Sequence, residues 1–157
     1  MKLMVVGAAG QLGTTFADVT QHEVIGLTRA DVDVSDHDAL VAAAERIRPD
    51  VLVNCTAYNN VDGAEDDAAT ALAVNAFAVR SMATAARGVG ATFVHYSTDF
   101  VFDGEASTPY TEEDRARPVS VYGSSKLLGE WFAQDAPRWY VLRVESLFGG
   151  RQARSSV

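Results

Sequence analysis

The sequence predicts an α/β fold: a doubly wound parallel sheet with helices on both faces. Three features of the 157 residues predict it. Apolar runs of strand length alternate with stretches of helical spacing, a pattern that gives parallel strands joined by right-handed crossovers. A glycine-rich turn, Gly7-Ala8-Ala9-Gly10-Gln11-Leu12-Gly13, follows the first apolar run and opens a helix. Two later runs end in Asn54-Cys55-Thr56-Ala57-Tyr58 and Ser97-Thr98-Asp99. Both ends fall on the carboxyl edge of such a sheet, where open α/β folds bind ligands.

Lys2-Leu3-Met4-Val5-Val6 reads as a buried first strand. The turn after it is G-x-x-G-x-x-G rather than G-x-G-x-x-G. The physics is shared: glycines permit a tight turn and close backbone approach, and the helix that follows, through about Asp18, offers free N–H groups to a pyrophosphate. A Rossmann-type sheet is therefore expected, with Gly7, Gly10, Gln11 and Leu12 at a dinucleotide. Glu23-Val24-Ile25-Gly26-Leu27 reads as the second strand. An acidic residue after it would hold a ribose hydroxyl, whereas an arginine favours a 2′-phosphate. Thr28-Arg29 stands there, so Arg29 points to NADPH, with NADH as the alternative. Asp31 to Asp36 is expected as a very short third strand or a polar turn, with Asp33 and Val34 at the adenine end of the cofactor.

Ser35 is the expected N-cap of the next helix, with Asp38 three residues on. That helix, Asp36 to about Ile47, puts Leu40, Val41, Ala44 and Ile47 on one face, and Pro49 ends it. Val51 to Cys55 is a strand whose end places Cys55, Thr56, Ala57 and Tyr58 at the cofactor. Cys55 reads as packing rather than a nucleophile, because no cationic partner is near it in sequence. Asn59 to Asp67 is a polar loop. Ala64 to Arg87 reads as one long helix stopped by Gly88 and Gly90, with Leu72, Phe77, Val79 and Met82 in the core. Asn75, in its middle, is either a buried residue bonding the backbone or an active-site group. Ala91 to Tyr96 is a strand delivering Ser97, Thr98 and Asp99, with His95 structural. Phe100 to Val119 is a long loop, and loops of that length in compact domains are often functional. Ser120 caps a helix running to about Gln134, and Trp139 to Val144 is the last strand. The expected strand order is 3-2-1-4-5-6.

Hydrophobic residues make up 48% and charged residues 22%, a mix that suits one globular domain with a real core. The net charge of −8, with no run of Lys or Arg, argues against nucleic acid or an anionic membrane as partner. No signal peptide or membrane-spanning run is apparent, and the single cysteine fits a reducing compartment, so a cytoplasmic protein is expected. The three histidines are scattered without metal-ligand spacing, and no metal is expected.

The chemistry centres on Tyr122 and Lys126. Four residues apart on a helix, they share one face. A lysine ammonium beside a tyrosine favours the phenolate and lowers a pKa that is normally about 10, making the pair a proton donor or acceptor near neutrality. A hydroxyl from Thr98 or Ser97 would hold a substrate carbonyl in place. That set suits carbonyl–alcohol interconversion, with the hydride source at the glycine turn.

These motifs carry a resemblance to the extended short-chain dehydrogenase/reductase superfamily, and within it to the dTDP-4-dehydrorhamnose reductases. The chain is similar to that family in Gly7–Gly13, Val32–Asp36, Arg48–Asn54, Ala57-Tyr58, Val61–Glu65, Asn75–Val79, His95–Gly104, Pro109–Glu112, Val121–Glu130 and Leu142-Arg143. The resemblance implies reduction of a 4-keto-6-deoxy nucleotide sugar, with Tyr122 as proton donor. It implies Lys126 as the group that lowers the Tyr122 pKa and binds the nicotinamide ribose, and Thr98 as the residue bonding the substrate oxygen. Tyr122, Lys126, Ser97 and Asn75 then also line the cofactor. A homodimer is the candidate assembly. Phe100 and Ser146 stand where the family usually has Tyr and Trp. Family members also continue well past this length. Residues 1–150 are therefore expected to be the cofactor-binding domain and 151–157 the start of a substrate-binding region, so that the chain alone binds cofactor weakly and reduces little. Two other readings stay open: an epimerase or dehydratase that recycles bound NAD, and a non-catalytic dinucleotide-binding module.

Overall fold

The computed structural model describes residues 1–19 and 21–148. The expected boundary near residue 150 and the segment 151–157 lie outside the described residues. The chain runs β1 (Lys2–Val6), α1 (Gln11–Val19), β2 (Glu23–Leu27), α2 (His37–Ile47), β3 (Val51–Asn54), α3 (Gly63–Asp66), α4 (Ala68–Leu72), a π-helical turn (Ala73–Phe77), α5 (Ala78–Val89), β4 (Thr92–Thr98), a 3-10 turn (Asp99–Val101), α6 (Val121–Ala133) and β5 (Trp139–Val144). The strands form one parallel sheet in the order β2-β1-β3-β4-β5.

This is the expected order less one edge strand, since Asp31 to Asp36 forms turns instead. The side chains there take the bonds a strand would use. Asp31 Oδ2 accepts from the Thr28 N–H and hydroxyl, and Asp33 Oδ1 accepts from the Ser35 N–H and hydroxyl. The N-cap of α2 is accordingly Asp36, one residue beyond the expected Ser35, with its carboxylate accepting from the Ala39 N–H at 3.0 Å.

β1 is buried on both faces, as a central parallel strand must be. Met4 and Val6 pack with Leu52, Phe93 and the apolar faces of α2 and α5. Leu3 and Val5 pack with Val53 and with Phe16 of α1 on the other side. The long helix expected over Ala64 to Arg87 is interrupted. Asp67 leaves helical geometry at φ −129° and caps α4 by accepting from the Thr70 N–H. The π-helical turn then inserts a residue into the ladder and re-aims the face. Asn75 and Ala76 turn inward, while Phe77, an expected core residue, is half exposed. Val79 and Met82 are fully buried as expected, and Leu72 is half-buried. α5 runs through Gly88 and ends at Gly90 in the left-handed conformation.

Candidate active site

The glycine turn joins the carboxyl end of β1 to α1. Gly7 has φ +87°, and the N–H groups of Gly7 and Ala8 both donate to the Leu27 carbonyl at the end of β2. A Cβ on Gly7 would meet Thr56 Cγ2 at 2.8 Å and the Cys55 carbonyl carbon at 2.9 Å. A Cβ on Gly13 would collide with the Gly7 carbonyl oxygen and lie 2.7 Å from Ala8 Cα. The turn is therefore bare backbone wedged between the ends of β1 and β3, with the start of α1 above it. These residues suit the diphosphate of a dinucleotide, which needs close N–H groups and no intervening side chains. Gly10 is exposed, Leu12 is half-buried, and Gln11 donates from Nε2 to the Leu147 carbonyl at 3.1 Å.

Arg29 lies exposed just past β2, and its charge helps hold the Asp33 carboxyl below the usual carboxylate range, after the two Ser35 hydrogen bonds. Val34 is half-buried against the main core. After β3, Asn54 fixes the next turn by accepting from the Thr56 N–H at 2.9 Å and the Thr56 hydroxyl at 2.6 Å. That fixes its amide orientation, so Asn54 Nδ2 donates to His95 Nδ1 at 3.1 Å and the His95 proton sits on Nε2. Burial, then the Lys126 charge, pushes His95 well below its ordinary pKa, and it is structural as expected. Cys55 packs in the smaller core, where burial pushes its thiol up to about 12. Ala57 is exposed and Tyr58 half-buried at the same edge.

Thr98, Tyr122 and Lys126 come together at the carboxyl end of β4. Ser120 caps α6 by accepting from the Gly123 N–H at 3.0 Å, which sets Tyr122 and Lys126 one turn apart. Both are buried, with Tyr122 9% and Lys126 2% exposed. The Thr98 hydroxyl lies close enough to the Tyr122 phenol to act on its pKa, and the Phe100 ring meets the Tyr122 ring edge-on at 5.7 Å. The Tyr122 pKa is raised rather than lowered as expected. Burial raises it most, the Thr98 bond lowers it, and the Asp99 charge raises it. Lys126 instead donates from Nζ to the Tyr96 carbonyl at 2.6 Å.

Two expected cofactor residues, Ser97 and Asn75, make buried hydrogen bonds within the fold. Ser97 is buried and donates to Glu130 Oε1 at 2.6 Å. Asn75 is buried and bonds the backbone: its Oδ1 accepts from the Tyr58 N–H, and its Nδ2 donates to the Tyr58 carbonyl and to Ser125 Oγ. It therefore holds Tyr58 in place. Sequence reasoning gave no role to Glu130, whose carboxylate grips Arg143 of β5 through two bonds, 2.9 and 2.7 Å. The Arg143 guanidinium lies 4.9 Å over the Phe102 ring, which stacks on Tyr110 at 4.1 Å. The long loop is thereby tied to α6. The available signal was the spacing of Glu130 from Lys126, again one helical turn.

Burial pushes the Lys126 ammonium down to about 8, partly opposed by Glu130. Its folded pKa lies below the ordinary 10.5. The unfolded chain thus binds more protons between these values, and stability must rise with pH through that window. The cost of burying the charge is fully imposed below about pH 8 and gone above about 10.5. Denaturant unfolding from pH 7 to 11 is expected to show this rise in the parent chain relative to Lys126→Met, by an amount of order 2–3 kcal/mol. Parallel curves for the two proteins would contradict it.

No cluster of metal-ligating side chains occurs among the described residues. The family model described as RmlD substrate binding domain matches residues 1–156. The dTDP-4-dehydrorhamnose reductase of Burkholderia thailandensis is 44% identical over 96% of this chain and 52% of its own length. That of Mycobacterium tuberculosis is 40% identical over 99% of this chain and 53% of its own. A crystal structure of the Bacillus anthracis dTDP-4-dehydrorhamnose reductase in complex with NADP superposes with a TM-score of 0.93 at 30% identity, covering 96% of this chain and 55% of that one. The chain spans about half the length of the relatives it matches.

Proposed function

The chain belongs to the family of the RmlD substrate binding domain, and from that premise we propose that it is the cofactor-binding and proton-donating part of an NADPH-dependent reductase of a 4-keto-6-deoxy nucleotide sugar. One observation carries this reading: Thr98 and Tyr122, close enough for the hydroxyl to act on the phenol, stand with the buried Lys126 at the sheet edge that also bears the glycine turn. The reduced dinucleotide, when bound, supplies a hydride to the carbonyl carbon. Gly7, Gly10, Gln11, Leu12, Thr56 and Arg29 are the residues that would hold it.

Thr98 positions the carbonyl oxygen by hydrogen bonding. Tyr122 transfers its phenolic proton to that oxygen as charge develops there, leaving alcohol and phenolate, and the phenolate is reprotonated from water. The Lys126 ammonium stabilises the phenolate through the low-dielectric interior. The single cysteine supports a reducing compartment, the cytoplasm, as the protein's place of action.

The cofactor part of the reading is tested by fluorescence titration of the chain with NADPH and NADH. NADPH is expected to bind at least about threefold tighter, because a guanidinium pairs with a 2′-phosphate. Arg29→Ala should remove that preference. Equal affinities in the parent chain would shift the assignment to NADH. Tightly bound NAD in the purified protein would favour an epimerase.

A further inference from the structure

The loop after β4 leaves the candidate site through the 3-10 turn Asp99–Val101 and returns to it at the start of α6. A loop of that length has many conformations open to it, so side chains must choose one. The Phe102 ring lies flat on the Tyr110 ring, with centroids 4.1 Å apart. The Tyr110 hydroxyl donates to Asp103 Oδ1 at 2.7 Å, and Asp103 Oδ2 pairs with Arg117 Nη1 at 3.1 Å. The Arg117 N–H donates to the carbonyl of the buried Val101 at 2.8 Å. The two arms of the loop are thus bound to each other.

Arg143 of β5 binds them to the sheet. A guanidinium has a donor edge and a stacking face, and both are in use here. The edge donates from Nε and Nη2 to the Glu130 carboxylate at 2.9 and 2.7 Å. Glu130 is 4% exposed and also accepts from the Ser97 hydroxyl at 2.6 Å, so α6, β4 and β5 hold it together. A buried carboxylate needs such donors, and Glu130 cannot release Arg143 without cost. The two-pronged grip fixes the guanidinium plane, and the Phe102 ring lies 4.9 Å beneath it. The Glu130 bonds raise the Arg143 pKa most, and the charge of Glu112, in the same loop, raises it further against the effect of burial.

We propose that Arg143 is a positioning residue for the substrate: gripped by Glu130, it carries the Phe102–Tyr110 stack and so fixes residues 102–117 as a wall of the pocket that admits the keto sugar to Tyr122. The role rests on the reductase reading, but the clamp itself is measurable without turnover. Lysine cannot replace arginine in it, since a point charge has neither fork nor face.

The first measurement is limited trypsin digestion of the 157-residue chain. It compares the rate of cleavage after Arg115, exposed in the loop, with that after Arg46 in α2. Arg143→Lys keeps the charge and removes the fork; Phe102→Ala removes the ring from a half-buried loop position. Each is expected to speed cleavage after Arg115 about two- to fivefold, the worth of one cation–π contact near the surface, and to leave Arg46 unchanged. Both substitutions cut the same contact, so the double variant should be no faster than the faster single one. The second measurement uses a chimera of residues 1–148 with the C-terminal half of the Burkholderia thailandensis reductase. There Arg143→Lys is expected to raise KM for a dTDP-4-keto-6-deoxy sugar at least about threefold, while NADPH affinity, set at the glycine turn, stays within about twofold. Unchanged cleavage after Arg115 in both single variants would overturn the clamp, as would effects that simply add. A loosened loop with an unaltered KM would overturn the substrate role. Equal weakening of NADPH and sugar would also overturn it, as a general loss of structure. An unsubstituted chimera that reduces no keto sugar would sink the reductase reading, and the substrate role with it, whatever the digestion shows.

Discussion

Replacing Tyr122 by phenylalanine is expected to lower carbonyl reduction by about 10²- to 10⁴-fold, the range supplied by a positioned general acid. The measurement is NADPH oxidation by a chimera joining residues 1–148 of this chain to the C-terminal half of the Burkholderia thailandensis reductase, with a dTDP-4-keto-6-deoxy sugar as substrate. The unsubstituted chimera is the reference. The ring of Tyr122→Phe keeps its edge-on contact with Phe100 and its place beside Tyr58 and Ala64. Its fold should therefore be unchanged, and the loss should appear in kcat rather than in stability. Activity within a few-fold of the reference would remove Tyr122 from the chemistry, and with it the reading of the Thr98–Tyr122–Lys126 cluster as a proton-transfer site.

The second large effect concerns Gly13. An added methyl there would strike the Gly7 carbonyl oxygen and crowd Ala8 Cα, both of them backbone that cannot rotate aside. Gly13→Ala is expected to cost about 1–3 kcal/mol of stability, as overpacking does. It should also weaken NADPH binding by more than about tenfold, since displacing the turn moves the N–H groups that would face a diphosphate. Denaturant unfolding and the fluorescence titration measure the two effects separately. A variant with parental stability and affinity would show that the turn can open without loss, and that its tight fit to α1 has no part in binding.

The fold was legible because its signals are local. Strand-length apolar runs, the glycine turn and the helix stops each depend on residues within one element, and the five strands fall where those patterns put them. Failures arose where side chains rewrote the backbone. Asp31 and Asp33 took the N–H groups that a third strand would have used, and Asp67 broke a helix that alanine content alone would have continued. The π-helical turn rotated Phe77 outward and Asn75 inward, a shift invisible to a fixed 3.6-residue period.

For the candidate site, the sequence by itself determined which residues stand together. A four-residue spacing on a helix and the end of an apolar run suffice to place Tyr122, Lys126 and Thr98. Their ionisation was decided by the tertiary structure. Lys126 is pushed down to about 8 because β4 and α6 close over it, and its nearest bond is to a carbonyl thirty residues away in sequence. Glu130 receives Ser97 and Arg143 from two different strands. Proton affinity follows desolvation and the charges gathered around a group, and both are set by elements remote in the chain, so spacing can name the participants but not the state in which they are held.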